Sequence, residues 1–234
     1  MPTAGVVIIG NEILSGKFAD ENTPWLVARL RELGTDLHRV TVIPDTIDDI
    51  ADEVSRQSHR YDWVFTTGGV GPTHDDITYE GVARAFHGGV ARHPELEAVL
   101  RRKLGEACNH AALRMAEVPE GSDLWWDGEV VYPVVVKRNV VIFPGVPSLL
   151  KLKFERIAHR FRGVPLATAR LTTQRSEPAI AATLTEAQSR WPMVAIGSYP
   201  RLDESPMVVI VTFESRDPDA LDACVRWCAE EGIG

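Results

Sequence analysis

Short apolar runs alternate with longer helical patterns over the first 66 residues, and this alternation constrains the fold more than any other feature. Residues 5–9, GVVII, are continuously apolar, which is typical of a strand buried on both faces of a sheet. Residues 22–33 place apolar side chains at helical spacing. The same cycle repeats at residues 37–43, 47–58 and 63–66. This pattern predicts right-handed βαβ crossovers and a parallel sheet with helices on both faces.

The following segments extend the same pattern. Residues 78–86 and 94–116 have helical periodicity, although glycine and asparagine near residues 105 and 109 interrupt the second helix. Two short β-branched runs, residues 134–136 and 140–143, predict a hairpin. A further helix is expected over residues 147–161, because a proline stands in its first turn.

A domain boundary is predicted at residues 162–165, where the sequence reads RGVP. Residues 1–162 then form one α/β domain. Residues 163–234 have the pattern of a small α+β subdomain, or of an extension of the first domain. Their predicted elements are a strand at 166–173, a helix at 178–190, strands at 193–198 and 207–213, and a helix at 219–230.

Composition and charge exclude several classes of function. The 234 residues are 44% hydrophobic and 25% charged, and the formal net charge is -8. Such a charge argues against nonspecific binding to nucleic acid or to anionic membranes. The chain begins without a signal-peptide pattern and contains no apolar run that could span a bilayer, so we expect a cytoplasmic protein. Cys224 and Cys228 lie four residues apart, which favours packing on one helix face over metal binding.

Four loops follow predicted strands and should meet at one edge of the sheet. They are residues 10–16 (GNEILSG), 44–46 (PDT), 66–76 (TTGGVGPTHDD) and 144–147 (PGVP). In parallel sheets, ligands bind beyond the carboxyl ends of the strands. The convergence of these loops therefore predicts a binding site.

The third loop combines features that attract and repel an anion. Gly68, Gly69 and Gly71 allow the backbone to turn its N–H groups toward a phosphate, and Thr67 adds a hydroxyl. The loop matches neither the Walker phosphate loop nor the dinucleotide fingerprint. Two carboxylates follow within five residues of Gly71, and a divalent cation between carboxylate and phosphate would convert their repulsion into bridging.

Each acidic residue also has a simpler interpretation. Asp75 and Asp76 can stabilise a helix that begins near residue 76, with Thr73 and Asp76 as a capping box. Asp45 is a candidate cation ligand or the N-cap of the next helix. Glu12 is a candidate for polarising a ligand hydroxyl or for coordinating metal. Its simpler interpretation is an acidic loop residue exposed to solvent.

These motifs resemble the molybdopterin-binding-like domain. The resemblance rests on GNEILSG at 10–16, PD at 44–45, TGGVGPTHDD at 67–76 and FPGVP at 143–147. Such domains occur in molybdenum cofactor enzymes and at the front of competence/damage-inducible protein A and of eukaryotic FAD synthases. RNVVIFPGVP and IGSYP make the chain most similar to the last group, over nearly its whole length.

The resemblance implies a three-layer α/β/α fold with a mostly parallel sheet and a ligand across the strand ends. It associates positions matching Asp45 and Asp76 with metal and adenylate chemistry, and the glycine loop with a phosphate. In the competence-protein and FAD-synthase relatives, the similar domain is associated with metal-dependent hydrolysis of nucleotide pyrophosphates. Val70 stands where molybdenum enzymes commonly have threonine. The further C-terminal domains of both relatives have no counterpart here, so FAD synthesis and nicotinamide-mononucleotide deamidation are not expected.

We therefore expect a hydrolase that uses Mg²⁺, Mn²⁺ or Co²⁺ on FAD or ADP-ribose, with Asp45, Asp75 and Asp76 as catalytic residues and cation ligands. The predicted substrate and phosphate contacts are Gly10, Asn11, Glu12, Thr67, Gly68, Gly69, Gly71, Pro72, Thr73, Pro144 and Gly145. The expected partner is a small nucleotide or pterin ligand, and the chain is expected to form a homodimer or homotrimer. Two alternatives remain: adenylyl transfer to molybdopterin, and a non-catalytic module that binds a flavin or pterin nucleotide.

Overall fold

The chain folds into two compact units. A computed structural model describes residues 1–126, 132–201 and 206–234, and the two units are Met1–Gly163 and Val164–Gly234. Within the described residues, the first unit contains a six-stranded sheet and the second a three-stranded sheet. No helix in these ranges has the length and apolar composition needed to cross a bilayer.

The first unit has the alternation of strands and helices that the sequence predicts. Its elements are β1 (Thr3–Ile9), α1 (Asn11–Leu14), α2 (Asn22–Glu32), β2 (Asp36–Ile43), α3 (Ile47–Ser58), β3 (Trp63–Thr67), α4 (Thr78–Ala85), β4 (Val90–Arg92), α5 (Pro94–Leu104), a 3-10 turn (Gly105–Ala107), α6 (His110–Arg114), β5 (Glu117–Pro119), β6 (Asp123–Trp125), β7 (Val134–Lys137), β8 (Val140–Phe143), α7 (Pro147–Ile157) and a 3-10 turn (Ala158–Phe161).

The main sheet is parallel in its centre and antiparallel at one side. Its strand order is β2-β1-β3-β8-β7-β6. Strand β1 pairs in parallel with β2 and β3, and β3 pairs in parallel with β8. Strands β7 and β8 form the predicted hairpin, and β6 extends it antiparallel to β7. The predicted mostly parallel sheet is therefore confirmed.

Side chains of β1 alternate between two cores, one on each face of the sheet. Val7 and Ile9 belong to the core that includes residues of α3, α4 and α5. Val6 and Ile8 belong to the core that includes residues of α2 and α7. This alternation follows from the twofold periodicity of a strand. It produces the three-layer α/β/α arrangement and explains why the run at residues 5–9 is apolar without interruption.

An aromatic cluster joins the central strands to the end of the first unit. The ring of Phe65 in β3 lies 4.9 Å from that of Phe161, 5.7 Å from that of Phe154 and 6.3 Å from that of Phe143. Phe161 meets it edge to face, an arrangement that aromatic rings favour. The cluster fixes β3 and β8 against α7, so that the loops leaving these strands start from a rigid base.

Several short elements were not predicted from the sequence. Strands β4 and β5 have three residues each and pair antiparallel as a separate ribbon, and they are too short to show a periodic signal. The predicted interruption of the helix at residues 94–116 is confirmed. Gly105 ends α5 with a φ of +54°, a conformation that glycine adopts without steric penalty.

The second unit is a small α+β fold. It contains β9 (Ala167–Thr173), α8 (Glu177–Arg190), β10 (Ala195–Arg201), β11 (Val208–Ser215) and α9 (Pro218–Glu230). The antiparallel strand order is β10-β11-β9. Alternate residues of β11, including Val209 and Val211, share a core with α8 and α9. Cys224 and Cys228 lie in this core, which confirms that they pack on one helix face.

Glu53 is a buried carboxylate that joins α3 to β2. Its side chain accepts hydrogen bonds from Gln57 Nε2 and Thr41 Oγ1, each at 2.8 Å. Arg39 lies 3.1 Å and Arg56 2.6 Å from its carboxylate oxygens. Burial by itself would raise the pKa of Glu53. The hydrogen bonds from Gln57 and Thr41 and the two arginine charges lower it by a larger amount, so the pKa lies below its ordinary value.

Replacing Glu53 by glutamine should destabilise the first unit by about 1–3 kcal/mol at neutral pH, because Arg39 and Arg56 lose their counter-charge. A carboxylate with a depressed folded-state pKa contributes stability above its unfolded-state pKa and loses it as the pH falls through the folded value. Urea unfolding at a series of pH values measures this effect. The difference in free energy of unfolding between wild type and Glu53→Gln should become smaller as the pH falls below 4.5, the ordinary pKa of glutamate.

The exposed pair of Glu186 and Arg190 provides a control. Glu186→Gln should change stability by less than about 0.5 kcal/mol at every pH, since exposed helical pairs contribute little. A Glu53→Gln difference that stays constant from pH 7 to pH 3 would contradict the role of the ionised carboxylate.

Candidate functional site

A cleft of about 480 Å³ lies at the carboxyl ends of the central strands. The chain leaves β1 toward β2 on one side and leaves β3 toward β8 on the other. Such a reversal of strand order opens the crevice in which α/β proteins bind ligands. The cleft is lined by Ile8, Ile9, Glu12, Ile13, Phe18, Ala19, Asp20, Glu21, Asn22, Thr67, Gly68, Asp75, Gly145 and Pro147.

Gly68 allows three strand ends to approach one another. It has a φ of +106°, and a Cβ atom at this position would lie 2.1 Å from the carbonyl oxygen of Ile9. A Cβ atom on Gly145 would lie 3.3 Å from the Cα atom of Gly68. The ends of β1, β3 and β8 therefore pack backbone to backbone, and a side chain at Gly68 would separate them.

The glycine loop, residues 68–77, is fixed to the start of α4. Thr78 donates from its hydroxyl to the Gly68 carbonyl at 2.8 Å and from its amide to the Gly69 carbonyl at 3.0 Å. The helix begins at Thr78, as the helical periodicity over residues 78–86 predicts. This start lies two residues after residue 76, near which Asp75 and Asp76 were expected to stabilise the helix.

Three successive backbone amides of the glycine loop have no acceptor in the described protein. In the described part of the chain, the N–H groups of Gly69, Val70 and Gly71 donate to no protein acceptor. We call these three groups the loop amides. Gly69 has a φ of +61°, and successive N–H groups around a glycine turn form the concave donor surface that binds anions in many proteins.

Asp75 and Asp76 both contact Thr73. An oxygen of Asp76 accepts a hydrogen bond from the Thr73 amide at 2.8 Å and also contacts its hydroxyl. The Asp76 amide donates to the Thr73 carbonyl at 3.2 Å. Only the first of these bonds belongs to a capping box, because in that motif the Asp76 amide would donate to the Thr73 hydroxyl and not to its carbonyl. Since α4 begins at Thr78, the pair closes a turn within the loop and does not cap the helix. The predicted capping box is therefore wrong.

The carboxylate of Asp75 is ionised at neutral pH. It lies 2.6 Å from the Thr73 hydroxyl, and this hydrogen bond lowers the pKa of Asp75 below its ordinary value. Asp75 also lines the cleft. The glycine loop therefore places a negative charge on the cleft wall.

Asp45 connects two of the predicted site loops. Its carboxylate accepts a hydrogen bond from the Asn11 amide at 2.7 Å, which ties the loop after β2 to the loop after β1. The N-cap of α3 is Thr46, whose side chain accepts from the Asp49 amide at 3.2 Å. The alternative interpretation of Asp45 as that N-cap is therefore wrong.

The predicted site residues divide into two groups. Those that line the cleft are Glu12, Thr67, Gly68, Asp75 and Gly145. Those in the adjoining loops, off the cleft surface, are Gly10, Asn11, Asp45, Gly69, Gly71, Pro72, Thr73, Asp76 and Pro144. Within the described ranges, no three carboxylate, imidazole or thiolate groups lie close enough to hold a metal ion by themselves. A cation bound to Asp45, Asp75 and Asp76 stays a prediction.

The start of α2 forms part of the site, although no motif in the sequence predicts it. Asp20 accepts hydrogen bonds from the amides of Asn22 and Thr23 at 2.9 and 3.0 Å, which places Asn22 on the cleft wall. The Asn22 amide nitrogen donates to Thr67 Oγ1 at 2.9 Å. Thr67 Oγ1 lies 3.3 Å from the carbonyl oxygen of Pro144, so its proton is directed to the backbone and not to the cleft. An asparagine at the first position of a predicted helix gives no signal of such a role.

The cleft wall is acidic. It carries the side chains of Glu12, Asp20, Glu21 and Asp75, and none of the described lining residues is lysine or arginine. A phosphate-bearing ligand therefore needs a positive charge that the lining does not supply. This is the electrostatic reason for expecting a cation to accompany the ligand.

Each of the two units of the chain matches the model of a known protein family. A family model described as "Probable molybdopterin binding domain" matches residues 5–163. The chain belongs to the molybdopterin-binding domain family. The remainder, residues 165–231, matches the model "FAD synthase, middle domain". The family match covers the whole α/β/α unit and the glycine loop.

The proteins that are similar to this chain differ from one another in length. A protein of Archaeoglobus fulgidus is 35% identical over 222 residues, which cover 94% of each chain. A "Probable FAD synthase" of Caenorhabditis elegans is 33% identical over 95% of this chain but only 48% of its own length. The chain thus spans about half of the FAD synthase that it matches.

CinA-like proteins match the first unit. A CinA-like protein of Anaeromyxobacter sp. is 36% identical over 61% of this chain and 36% of its own length. The crystal structure of a CinA protein of unknown function from Thermoplasma acidophilum aligns with a TM-score of 0.63 and 27% identity. The alignment covers 69% of this chain and 99% of the CinA chain.

Replacing Gly68 by alanine should destabilise the first unit more than the same change at Gly105. Both glycines have a positive φ, but a Cβ atom on Gly105 meets nothing within 4 Å. Each variant should lose about 1–2 kcal/mol for the left-handed conformation, and Gly68→Ala should lose about 1–3 kcal/mol more for the backbone clash. Urea unfolding measures both changes. Equal losses would show that the strand ends do not depend on close contact at Gly68.

Proposed function

We propose that the chain hydrolyses the pyrophosphate bond of a nucleotide of the FAD or ADP-ribose class with the help of a divalent cation. The observation that carries the proposal is the glycine loop, on which the loop amides lie within seven residues of the ionised Asp75 in the sequence. Donors for phosphate oxygens and a hard ligand for a cation thus belong to one short segment beside the cleft.

The chain's own residues fit a cation that enters together with the substrate. Asp45, Asp75 and Asp76 each use one carboxylate oxygen in a hydrogen bond to the protein, and the described residues offer no hydrogen bond to the other oxygen. Mg²⁺ usually keeps several waters and is bound by one or two carboxylates plus substrate phosphates, so a cage of three protein ligands is not required. When bound, such an ion neutralises phosphate charge and polarises the phosphorus–oxygen bonds.

The protein itself would bind the phosphate oxygens, hold the carboxylates in position and polarise a ligand hydroxyl. The loop amides would donate hydrogen bonds to the oxygens on which charge develops during hydrolysis, and groups fixed before the reaction stabilise such charge most effectively. Thr73 would hold Asp75 and Asp76 in position through its hydroxyl and amide. Glu12, on the cleft wall, is the residue that we propose to polarise a ligand hydroxyl.

Known relatives support the substrate class without defining the reaction. The match to a "Probable FAD synthase" points to a flavin nucleotide. The family description favours a second candidate, the binding of molybdopterin, with or without adenylyl transfer. A cytoplasmic location and a dimeric or trimeric assembly also stay predictions.

Hydrolysis should depend on the carboxylates of the glycine loop. Purified protein is assayed with FAD and ADP-ribose in Mg²⁺, Mn²⁺, Co²⁺ or chelator. Asp75→Asn and Asp76→Asn should each reduce the rate of AMP release by on the order of 100-fold, because the change removes the negative charge of a cation ligand and preserves the shape of the side chain.

Asp62 provides a matched control for Asp76. It accepts hydrogen bonds from the amide and hydroxyl of Thr3 at 2.7 and 2.8 Å, as Asp76 does from Thr73, but it precedes β3 at the opposite edge of the sheet. Asp62→Asn should keep the wild-type rate within about twofold. Full turnover in folded Asp75→Asn and Asp76→Asn would refute the proposal. Ligand binding without turnover in any metal would favour the binding-only candidate and make molybdopterin the next ligand to test.

A further inference from the structure

Asn22 is a buried polar residue on the wall of the cleft. Its relative exposure is 6%, and it lies at the start of α2 on the wall of the cleft. The amide nitrogen donates to Thr67 Oγ1 at 2.9 Å and to the Gly145 carbonyl at 2.8 Å. Both donor positions of the side chain are therefore used to connect α2 to the loops after β3 and β8.

The orientation of the Asn22 amide is determined by its partners. A carbonyl oxygen only accepts hydrogen bonds, so the atom that faces the Gly145 carbonyl must be the nitrogen of the amide. The side-chain oxygen then occupies the other position. A rotation that exchanged the two atoms would place two oxygens against each other at 2.8 Å.

The Asn22 oxygen has no hydrogen-bond partner among the residues that the structure describes. A buried amide oxygen without a partner costs about 1–3 kcal/mol, so folded proteins rarely retain one without a reason. The oxygen itself is enclosed, but Asn22 lines the cleft, so a ligand that displaces the groups covering this oxygen can supply the missing donor.

We propose that the Asn22 oxygen binds a hydrogen-bond donor on the uncharged, adenosine part of the ligand. The inference rests on the proposed function in one respect: adenosine is the part that FAD and ADP-ribose share. An amide oxygen accepts hydrogen bonds, and ionised phosphate oxygens have no proton to donate, so Asn22 selects a ribose hydroxyl or the adenine amino group.

The rest of the cleft agrees with this orientation of the ligand. Ile8, Ile13, Phe18 and Pro147 supply apolar lining for a flat base. A volume of about 480 Å³ lies within the range of small-molecule sites. The phosphates then extend toward the loop amides. Asn22 is a specificity-determining residue in this arrangement, and it takes no part in bond cleavage.

The proposal is tested by equilibrium binding of a methylene-bridged ADP-ribose analogue, whose pyrophosphate cannot be hydrolysed, in the presence of Mg²⁺. Three further analogues each lack one donor of the adenosine part: the 2′-hydroxyl, the 3′-hydroxyl or the adenine amino group. Wild-type protein should bind one of the three about 10-fold more weakly than the parent analogue. Asn22→Ala should bind the parent about 10-fold more weakly and should lose the preference for that donor.

Gln57 provides a matched control. It is also a fully buried amide whose oxygen has no partner in the described ranges, but it belongs to the Glu53 cluster. A Cβ atom on Gly5, near the beginning of β1, would lie 1.9 Å from this oxygen, so Gln57 is located away from the carboxyl ends of the strands. Gln57→Ala should lose stability as Asn22→Ala does and should retain both the wild-type affinity and the donor preference.

The possible results separate this inference from the proposed function. A donor preference that disappears in Asn22→Ala supports the inference even if no metal produces hydrolysis, in which case only the proposed function fails. Hydrolysis of ADP-ribose with the same donor preference in both proteins overturns the inference alone. A loss of Mn²⁺ binding by Asn22→Ala without nucleotide also overturns it, because the oxygen would then be a cation ligand.

Two further measurements test the role of Asn22 if the alanine variant does not fold. Asn22→Leu preserves most of the side-chain volume and replaces Asn22→Ala if the alanine variant fails to fold. In the wild-type protein alone, the absence of binding by the parent analogue, or equal affinity for all four analogues, overturns the inference without any variant.

Discussion

The close approach of Gly68 to the backbone of β1 is the constraint on which the rest of the site depends. With no side chain at Gly68, β3 and the loop after β8 can meet above the end of β1. The aromatic cluster around Phe65 packs these strands against α7. Backbone contact at Gly68 and ring packing at Phe65 together determine the positions of the loops that form the cleft.

The site combines amide hydrogen-bond donors with acidic side chains, and the acidic side chains would repel an anion that arrives without a cation. The loop amides attract phosphate, whereas Glu12, Asp20, Glu21 and Asp75 give the wall a negative charge. A divalent cation that arrives with the phosphates reconciles the two, because it binds both carboxylate and phosphate oxygens. The acidic wall then favours the uncharged part of the ligand, where hydroxyl and amino groups find acceptors. The same arrangement disfavours anionic ligands that do not bring a cation with them.

Local patterns predicted most of the fold. The apolar run at residues 5–9 and the helical spacing at residues 22–33 correspond to β1 and α2, since these patterns reflect burial against a neighbouring layer. The three-residue strands β4 and β5 were missed because each depends on pairing with the other and has no periodicity of its own. The capping box predicted for Thr73 and Asp76 was wrong, because the Asp76 amide bonds to the Thr73 carbonyl and the pair forms a turn that precedes α4.

By itself, the sequence determined the order of strands and helices, the edge of the sheet where the site lies, and the glycines and acids of its loops. These features depend on residue type and on spacing within a few positions. Only the tertiary structure decided which side chains reach the cleft. Asn22 contacts Thr67 and Gly145, which are 45 and 123 residues away along the chain, and Asp45 meets Asn11 across 34 residues. Such contacts depend on how the strands are ordered in the sheet, and no local pattern in the sequence records that order.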